Sequence, residues 1–342
     1  MPRTNLLIPL LLLAPIATLL STHAAAQGVR PTGLSEWDST NQVLFFGNGS
    51  AGCVVRAYVD GHQRGADIEM LKDFPGIQEC YVETSTAGPD GTTLIATILN
   101  FGNGNIQQPI LTYDSNGKLV KSWDPAPQCV ESIAYSKDDD AIFVLGERDL
   151  PNGPYAPNYP LLVEYSRDGR VLKLMVPVGA LRDGGESFHQ NGEHGEPALR
   201  VTKDHIYFYA PTNREAVITD RNGVVLAARS LSDIIEKIGM EDGFHLVQIH
   251  AKDFSDDGDV VLGLLRSNDV DYSVDVFRIN IKTGEAVTVR KDLNGGQLEF
   301  LGLKDGRYLY IDRSQHLIIQ PAETQVSGLL TSSLTDESFE SP

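Results

Sequence analysis

Thr112-Tyr-Asp-Ser-Asn-Gly-Lys118 decides the fold. Asn-Gly supplies the positive φ angles that a tight β-hairpin needs, so this stretch is a turn between two strands. The same chemistry recurs in Glu164-Tyr-Ser-Arg-Asp-Gly-Arg170, Ile218-Thr-Asp-Arg-Asn-Gly-Val224 and Asn280-Ile-Lys-Thr-Gly-Glu285. Each joins runs rich in β-branched and aromatic residues, as in Leu161-Leu-Val-Glu-Tyr165 and Val171-Leu-Lys-Leu-Met175. Gly61, after Val55-Arg-Ala-Tyr-Val59, adds a further member. The spacing, about 50–60 residues, is close to that of propeller blades.

A second family of turns lies between these. Ser39-Thr-Asn41, Asp90-Gly91, Asp138-Asp-Asp140, Lys203-Asp204, Asp257-Gly258 and Asp305-Gly306 each precede a short apolar run such as Val43-Leu-Phe-Phe46 or Ile206-Tyr-Phe-Tyr209. Two alternating hairpins per repeat make a unit of four antiparallel strands, a propeller blade. The second family predicts six units, starting near Gly33, Cys80, Cys129, Glu196, Gln248 and Gln297. The expected fold is therefore all-β, a single six-bladed β-propeller of four-stranded antiparallel blades. Its last unit is short, and closing the ring requires a strand from the mature N-terminus or one from Gln325 to Leu330. Ser232 to Ile238 is the one convincing helical turn.

The turn pattern and the unit count resemble six-bladed propellers of the NHL-repeat and TolB-like kind, over about Gly33 to Gln320. Motifs such as Tyr113-Asp-Ser-Asn-Gly-Lys-Leu-Val-Lys-Ser-Trp123 carry that resemblance, and they mark a blade hairpin rather than chemistry.

The chain opens on Arg3, an apolar run from Leu6 to Leu20 and the small residues Ala24-Ala25-Ala26, the layout of a secretory signal peptide cleaved after Ala26. The expected domains are a signal peptide at 1–26, the propeller at 27–323 and a Ser/Thr-rich, partly disordered tail at 324–342. With no Cys near the cleavage site and no later apolar span, the mature protein is expected to be extracytoplasmic, periplasmic or secreted, without membrane insertion, and monomeric. The balance of 46 Asp+Glu against 28 Lys+Arg argues against nucleic acid as a partner, because phosphate binding needs clustered cations. It suits solubility, and it also admits metal cations or neutral ligands. Cys53, Cys80 and Cys129 predict one disulfide and one free thiol in an oxidising compartment, with the pair undetermined.

Loop length points to the working face. The first-to-second and third-to-fourth turns of a blade share one face, and here they are short. The opposite face carries Asn100–Gln108, Glu147–Tyr159, Arg266–Tyr272 and the connection from Gly179 to Pro197. Binding residues concentrate on long loops held by a rigid scaffold. The expected ligand contacts are Glu79, Gln128, Arg148, Tyr155, Tyr159, His189, His194, Arg266, Tyr272 and Gln297. Tyr155, Tyr159 and Tyr272 offer stacking faces for a sugar or peptide, or pack on their own prolines. Glu79, Gln128, Glu196, Gln248, His250 and Gln297 converge on the funnel, where their oxygens hold calcium or simply solvate a wet channel. His189, Glu193 and His194 lie on a Gly-rich loop without the spacing of a helical zinc motif. Asp253-Phe-Ser-Asp-Asp-Gly-Asp259 lacks the bidentate Glu of a calcium loop, because Leu264 stands there.

No nucleophile elbow, P-loop or dinucleotide fingerprint is present. The sequence thus reads as a module binding a small molecule, a carbohydrate or an extracytoplasmic protein. The alternative resembles the gluconolactonase/regucalcin and paraoxonase propellers. That resemblance implies a calcium-dependent lactone or ester hydrolase with Glu79, Glu196 and Gln128 as metal ligands and His250 as base. The family's Glu, Asn and Asp ligand pattern does not map onto these positions residue by residue.

Overall fold

The computed structural model describes residues 34–47, 53–126, 128–147, 158–181, 197–210, 214–240, 243–268, 270–291, 298–312 and 317–320. Among them the strands form six antiparallel sheets. Sheet 1 holds β1 (Leu34–Asp38), β2 (Val43–Gly47) and β3 (Val54–Val59), with the two-residue β4 (His62–Gln63) and β5 (Ile68–Glu69) both paired to β3. Sheet 2 runs β6 (Glu79–Ala87), β7 (Thr93–Asn100), β9 (Ile110–Tyr113) and β10 (Leu119–Trp123), with β8 (Ile106–Gln107) also on β7. Sheet 3 is β11 (Cys129–Ser136), β12 (Ala141–Glu147), β13 (Pro160–Ser166) and β14 (Val171–Pro177). Sheet 4 is β15 (Ala198–Val201), β16 (His205–Ala210), β17 (Glu215–Asp220) and β18 (Val225–Ser230). Sheet 5 is β19 (His245–Phe254), β20 (Asp259–Ser267), β21 (Tyr272–Asn280) and β22 (Ala286–Arg290). Sheet 6 has three described strands, β23 (Leu298–Lys304), β24 (Arg307–Asp312) and β25 (Leu317–Gln320). Each sheet starts within three residues of a position that the turns predict.

The core explains the apolar runs. Side chains alternate between the two faces of a strand, so a sheet buried on both faces needs apolar residues throughout its middle strands. In β12, Ile142 and Val144 pack towards sheet 2, while Phe143 and Leu145 pack towards sheet 4. The same division repeats round the molecule. Separate apolar clusters lie between sheets 1 and 2, 2 and 3, 3 and 4, 4 and 5, and 5 and 6. A sixth joins Leu301, Leu309 and Ile311 of sheet 6 to Leu44 of sheet 1. The first strands β1, β6, β11, β15, β19 and β23 touch in that cyclic order, with β23 returning to β1. This is a β-propeller-like arrangement around a central axis. Helix α1 (Ser232–Gly239) lies in the connection between sheets 4 and 5, where Ile235 and Ile238 join their shared core.

The hairpin turns also set the spacing between sheets. Gly169 (φ 73°) rests on Trp123 of β10, and Gly223 (φ 78°) rests on Met175 of β14. A methyl group at Gly169 would stand 2.5 Å from the Trp123 ring in a backbone conformation that disfavours any side chain. Gly169→Ala is therefore expected to cost about 1–2 kcal/mol. The drop in thermal midpoint on a melting curve should be a few °C, and an unchanged midpoint would contradict this packing. The cysteines pair across the same kind of boundary. Cys53, next to β3, bonds Cys80 of β6, and Cys129 is free.

Candidate functional site

The two ends of the axis differ. At the short-turn end, the end of β1 and the β1–β2 turn together reach across to all five other sheets. Trp37 donates its Nε1–H to the Leu303 carbonyl of sheet 6 (3.1 Å). Ser39 donates its hydroxyl to Asp253 of sheet 5. The Thr40 hydroxyl oxygen accepts from Val201 N of sheet 4 (3.0 Å). Asn41 Nδ2 donates to the Tyr135 carbonyl of sheet 3 (3.0 Å) and to Thr86 Oγ1 of sheet 2 (3.2 Å). Buried Asp38 accepts from Thr86 Oγ1 (2.7 Å) and Ala87 N (2.9 Å), and from the Thr40 and Asn41 amides. All these partners sit at the short-turn ends of their first strands, so the turn lies across the axis and closes it there.

The long-loop end has no such crossing among the described residues. Glu79 begins β6 opposite Asn100, the last residue of β7, and accepts from Asn100 Nδ2 at 3.0 Å. Asn100 Oδ1 in turn accepts from Gly102 N (2.8 Å), which starts a tight turn with Asn103 and Gly104 at positive φ. Cys80 and Val82 of β6 pack into the core shared with sheet 1. The intervening Glu79, Tyr81 and Glu83 turn the other way and are exposed, Tyr81 to 45%. Glu83 sits where the β6–β7 register shifts, and Glu131 occupies the matching bulge of β11. Glu36 of β1 accepts from Thr84 Oγ1 at 2.6 Å. Three neighbouring first strands therefore each contribute a Glu, with one exposed aromatic among them.

The expected contacts divide sharply. Glu79 is exposed at the long-loop end, and Tyr272 is half-exposed at the start of β21. Gln128 and Tyr159 are both buried and bond one another. The Tyr159 hydroxyl donates to Gln128 Oε1, and Gln128 Nε2 donates to the Pro160 carbonyl (2.6 Å). Arg266 lies inside β20 rather than in a loop. Its side chain is ion-paired with fully buried Asp275, donates to the Ile238 carbonyl and lies over the Phe244 ring. Such a buried pair fixes structure and has little reach for a ligand. β19 begins at His245, which places Gln248 and His250 three and five residues inside the strand, opposite Leu265 and Gly263. Arg148, Tyr155, His189, His194, Glu196 and Gln297 lie outside the described residues, as do the 1–26 segment and the 324–342 tail.

Among the described residues, no group of three or more His, Cys, Asp or Glu side chains is placed to hold a metal ion. The described part of the calcium reading, with Glu79 and Gln128 as oxygen donors, does not fit: Gln128 is spent on Tyr159 and Pro160. No described helix is long and apolar enough to cross a membrane.

No family model matches the sequence, and no curated protein matches it. Among solved structures, BamB from Moraxella catarrhalis is 11% identical over 91% of this chain and 87% of its own, with a TM-score of 0.41. A Bacteroides fragilis NCTC 9343 protein named as a candidate exported protein is 10% identical over 83% and 80%, with a TM-score of 0.49. At these identities and scores, neither says anything about the ligand or role of this chain.

Proposed function

We propose that this chain is an exported, monomeric six-bladed propeller that binds its ligand at the long-loop face and catalyses no reaction. In this reading residues 1–26 direct export and the six sheets are six blades. The carrying observation is the polarity of the axis: the Asp38–Asn41 turn closes one end, while Glu79, Tyr81 and Glu83 stand exposed at the other. A ligand at the axis then approaches from a single side.

The chemistry favours a carbohydrate. An exposed tyrosine ring stacks on the apolar face of a sugar, and flanking carboxylates accept charge-assisted hydrogen bonds from its hydroxyls. Tyr272, exposed at the start of β21 in sheet 5, lies across the ring from Tyr81 and offers a ring to a longer ligand. No observation favours a metal-dependent hydrolase as a second reading.

The test is a glycan array probed with the mature chain, followed by calorimetry on the best neutral oligosaccharide. Tyr81→Ala should weaken binding at least tenfold while leaving the thermal midpoint within about 1 °C, because the side chain is half-exposed and outside the core. Glu79→Gln should weaken it less. Binding that survives Tyr81→Ala, or no glycan binding at all, overturns the carbohydrate assignment. Capture of a protein by the same face would then point to the protein-binding branch.

A further inference from the structure

We infer that the outer strands of sheets 2, 3 and 4 form a docking surface for an anionic lipid bilayer, on which the ring rests edge-on without spanning it. This surface is separate from the long-loop face, so it stands or falls independently of the ligand proposed there.

The first observation is a repeated irregularity. The fourth strands lie at the rim, because the first strands surround the axis. In β10 the pairs Tyr113–Leu119 and Thr112–Lys121 leave Val120 as an extra residue. In β14 the pairs Tyr165–Val171 and Glu164–Lys173 leave Leu172, and in β18 the pairs Thr219–Val225 and Ile218–Ala227 leave Leu226. A bulged residue is unpaired, and nothing in the sheet requires it to be apolar. All three are nevertheless apolar, and each is 47–55% exposed. Sheet 5 differs, since its bulged residue Val289 packs on the core shared with sheet 6. One exposed apolar residue needs no explanation, but the same position on three neighbouring sheets does.

Apolar exposure is greatest in the middle of this arc. Besides Leu172, β14 exposes Val171 and Leu174, the latter to 61%. Val171 pairs with Tyr165 and Leu174 with Val163, so both stand on the side where Trp123 of β10 lies against Tyr165. Sheet 2 adds only Val120 there, and sheet 4 adds Val224 and Leu226. A flat surface touching a convex rim meets one blade fully and the blades beside it partly, which is the distribution seen.

Charge identifies the occupant. Lys118-Leu-Val-Lys121 and Arg170-Val-Leu-Lys173 share one order, cation, apolar, apolar, cation, with the bulged residue third in each. Lys118 and Arg170 are exposed, and Lys173 Nζ donates to the neutral Asn222 Oδ1 at 3.0 Å. Asp168 offsets one charge, 3.5 Å from Lys121 Nζ, and Asp114 interacts with Lys118. The chain as a whole carries a net charge of −18. An anionic surface repels an acidic face and accepts this rim, and charges farther off than about 10 Å are screened at physiological salt. Leu and Val between cations suit the boundary of headgroups and acyl chains, where the apolar side chains bury and Lys and Arg reach phosphate. A peptide strand would need the edge of one sheet, leaving the exposed residues of its two neighbours unused.

Co-sedimentation of the mature chain with vesicles tests this. Vesicles of equal parts phosphatidylglycerol and phosphatidylcholine should retain it about tenfold more strongly than phosphatidylcholine alone. Leu172→Thr combined with Leu174→Thr should weaken retention about tenfold, and Lys118→Gln combined with Arg170→Gln should weaken it several-fold. Both variants should keep the thermal midpoint within about 2 °C, because the substituted side chains are exposed. Tyr81→Ala, on the long-loop face, should leave retention unchanged. Equal retention by both kinds of vesicle, no retention, or retention that survives both pairs of substitutions overturns the inference. So does a particle of twice the chain mass in vesicle-free buffer that dissociates on Leu172→Thr with Leu174→Thr, which would make the face a contact between copies. If the leucine variant does not fold, the variant at Lys118 and Arg170 decides.

Discussion

Asp38→Ala is expected to lower the free energy of unfolding by about 3–5 kcal/mol, the range for stripping partners from a buried, hydrogen-bonded carboxylate. The carboxylate accepts from Thr40 N, Asn41 N, Asn41 Nδ2, Thr86 Oγ1 and Ala87 N, at 2.7–3.1 Å. Burial pushes its pKa up, and the hydrogen bonds oppose that shift without cancelling it. The alanine variant leaves several donors without an acceptor and releases Asn41, which also holds Tyr135 of sheet 3. Asp38→Asn should cost less, because one oxygen still accepts, although its new amide faces donors. Asp138→Ala, at an exposed position of the equivalent turn in sheet 3, should change stability by less than about 0.5 kcal/mol. Denaturant unfolding followed by tryptophan fluorescence reports on the site through neighbouring Trp37. A cost below about 1 kcal/mol for Asp38→Ala would mean that the β1–β2 turn does not hold the sheets together.

The part of the fold legible in the sequence is the part with a local chemical cause. Asn116-Gly117 and Asp168-Gly169 must be turns, because the backbone there needs positive φ, and the strands follow from their spacing. The axial turn was not legible. Ser39, Thr40 and Asn41 are ordinary turn residues, and their partners lie 45 to 161 residues away in sequence, or further for Ser39. Pairing at such distances is a property of the closed ring, not of any segment.

The candidate site was legible in part. Loop length points to the end at which Glu79 and Tyr272 are exposed. The sequence reading does not single out Tyr81, although period-two alternation puts Glu79, Tyr81 and Glu83 on one face of a strand. Residue type announces hydrogen-bonding capacity but not the partner that takes it up, as in the Tyr159–Gln128 bond. Arg266 is the opposite case. Its partner was within reach, because folding the β20–β21 hairpin pairs Arg266 with Ser273 and brings Asp275 diagonally beside it.

The second buried carboxylate at the closed end makes a pH signature. Asp253 is 1% exposed and accepts from Phe254 N and Leu303 N, both at 2.7 Å, and from the Ser39 hydroxyl. Its burial pushes the pKa from 3.8 up to about 6, against the pull of Arg200 and those donors. A carboxyl that holds its proton more tightly folded than unfolded contributes stability that is present below about pH 3.8 and lost as pH rises through about 6. A shift of about two units corresponds to about 3 kcal/mol. Asp253→Asn removes the titration, so the stability difference between wild type and variant should shrink by about 2 kcal/mol from pH 4 to pH 7.5, measured as paired denaturation curves. Asp60, Asp114 and Asp220, whose pKa values are lowered by their partners, produce the opposite trend. They are common to both proteins and cancel in the difference, as does Asp38. A difference flat to within about 1 kcal/mol over that range would show that Asp253 is already ionised in the folded ring at pH 4, its donors then outweighing burial.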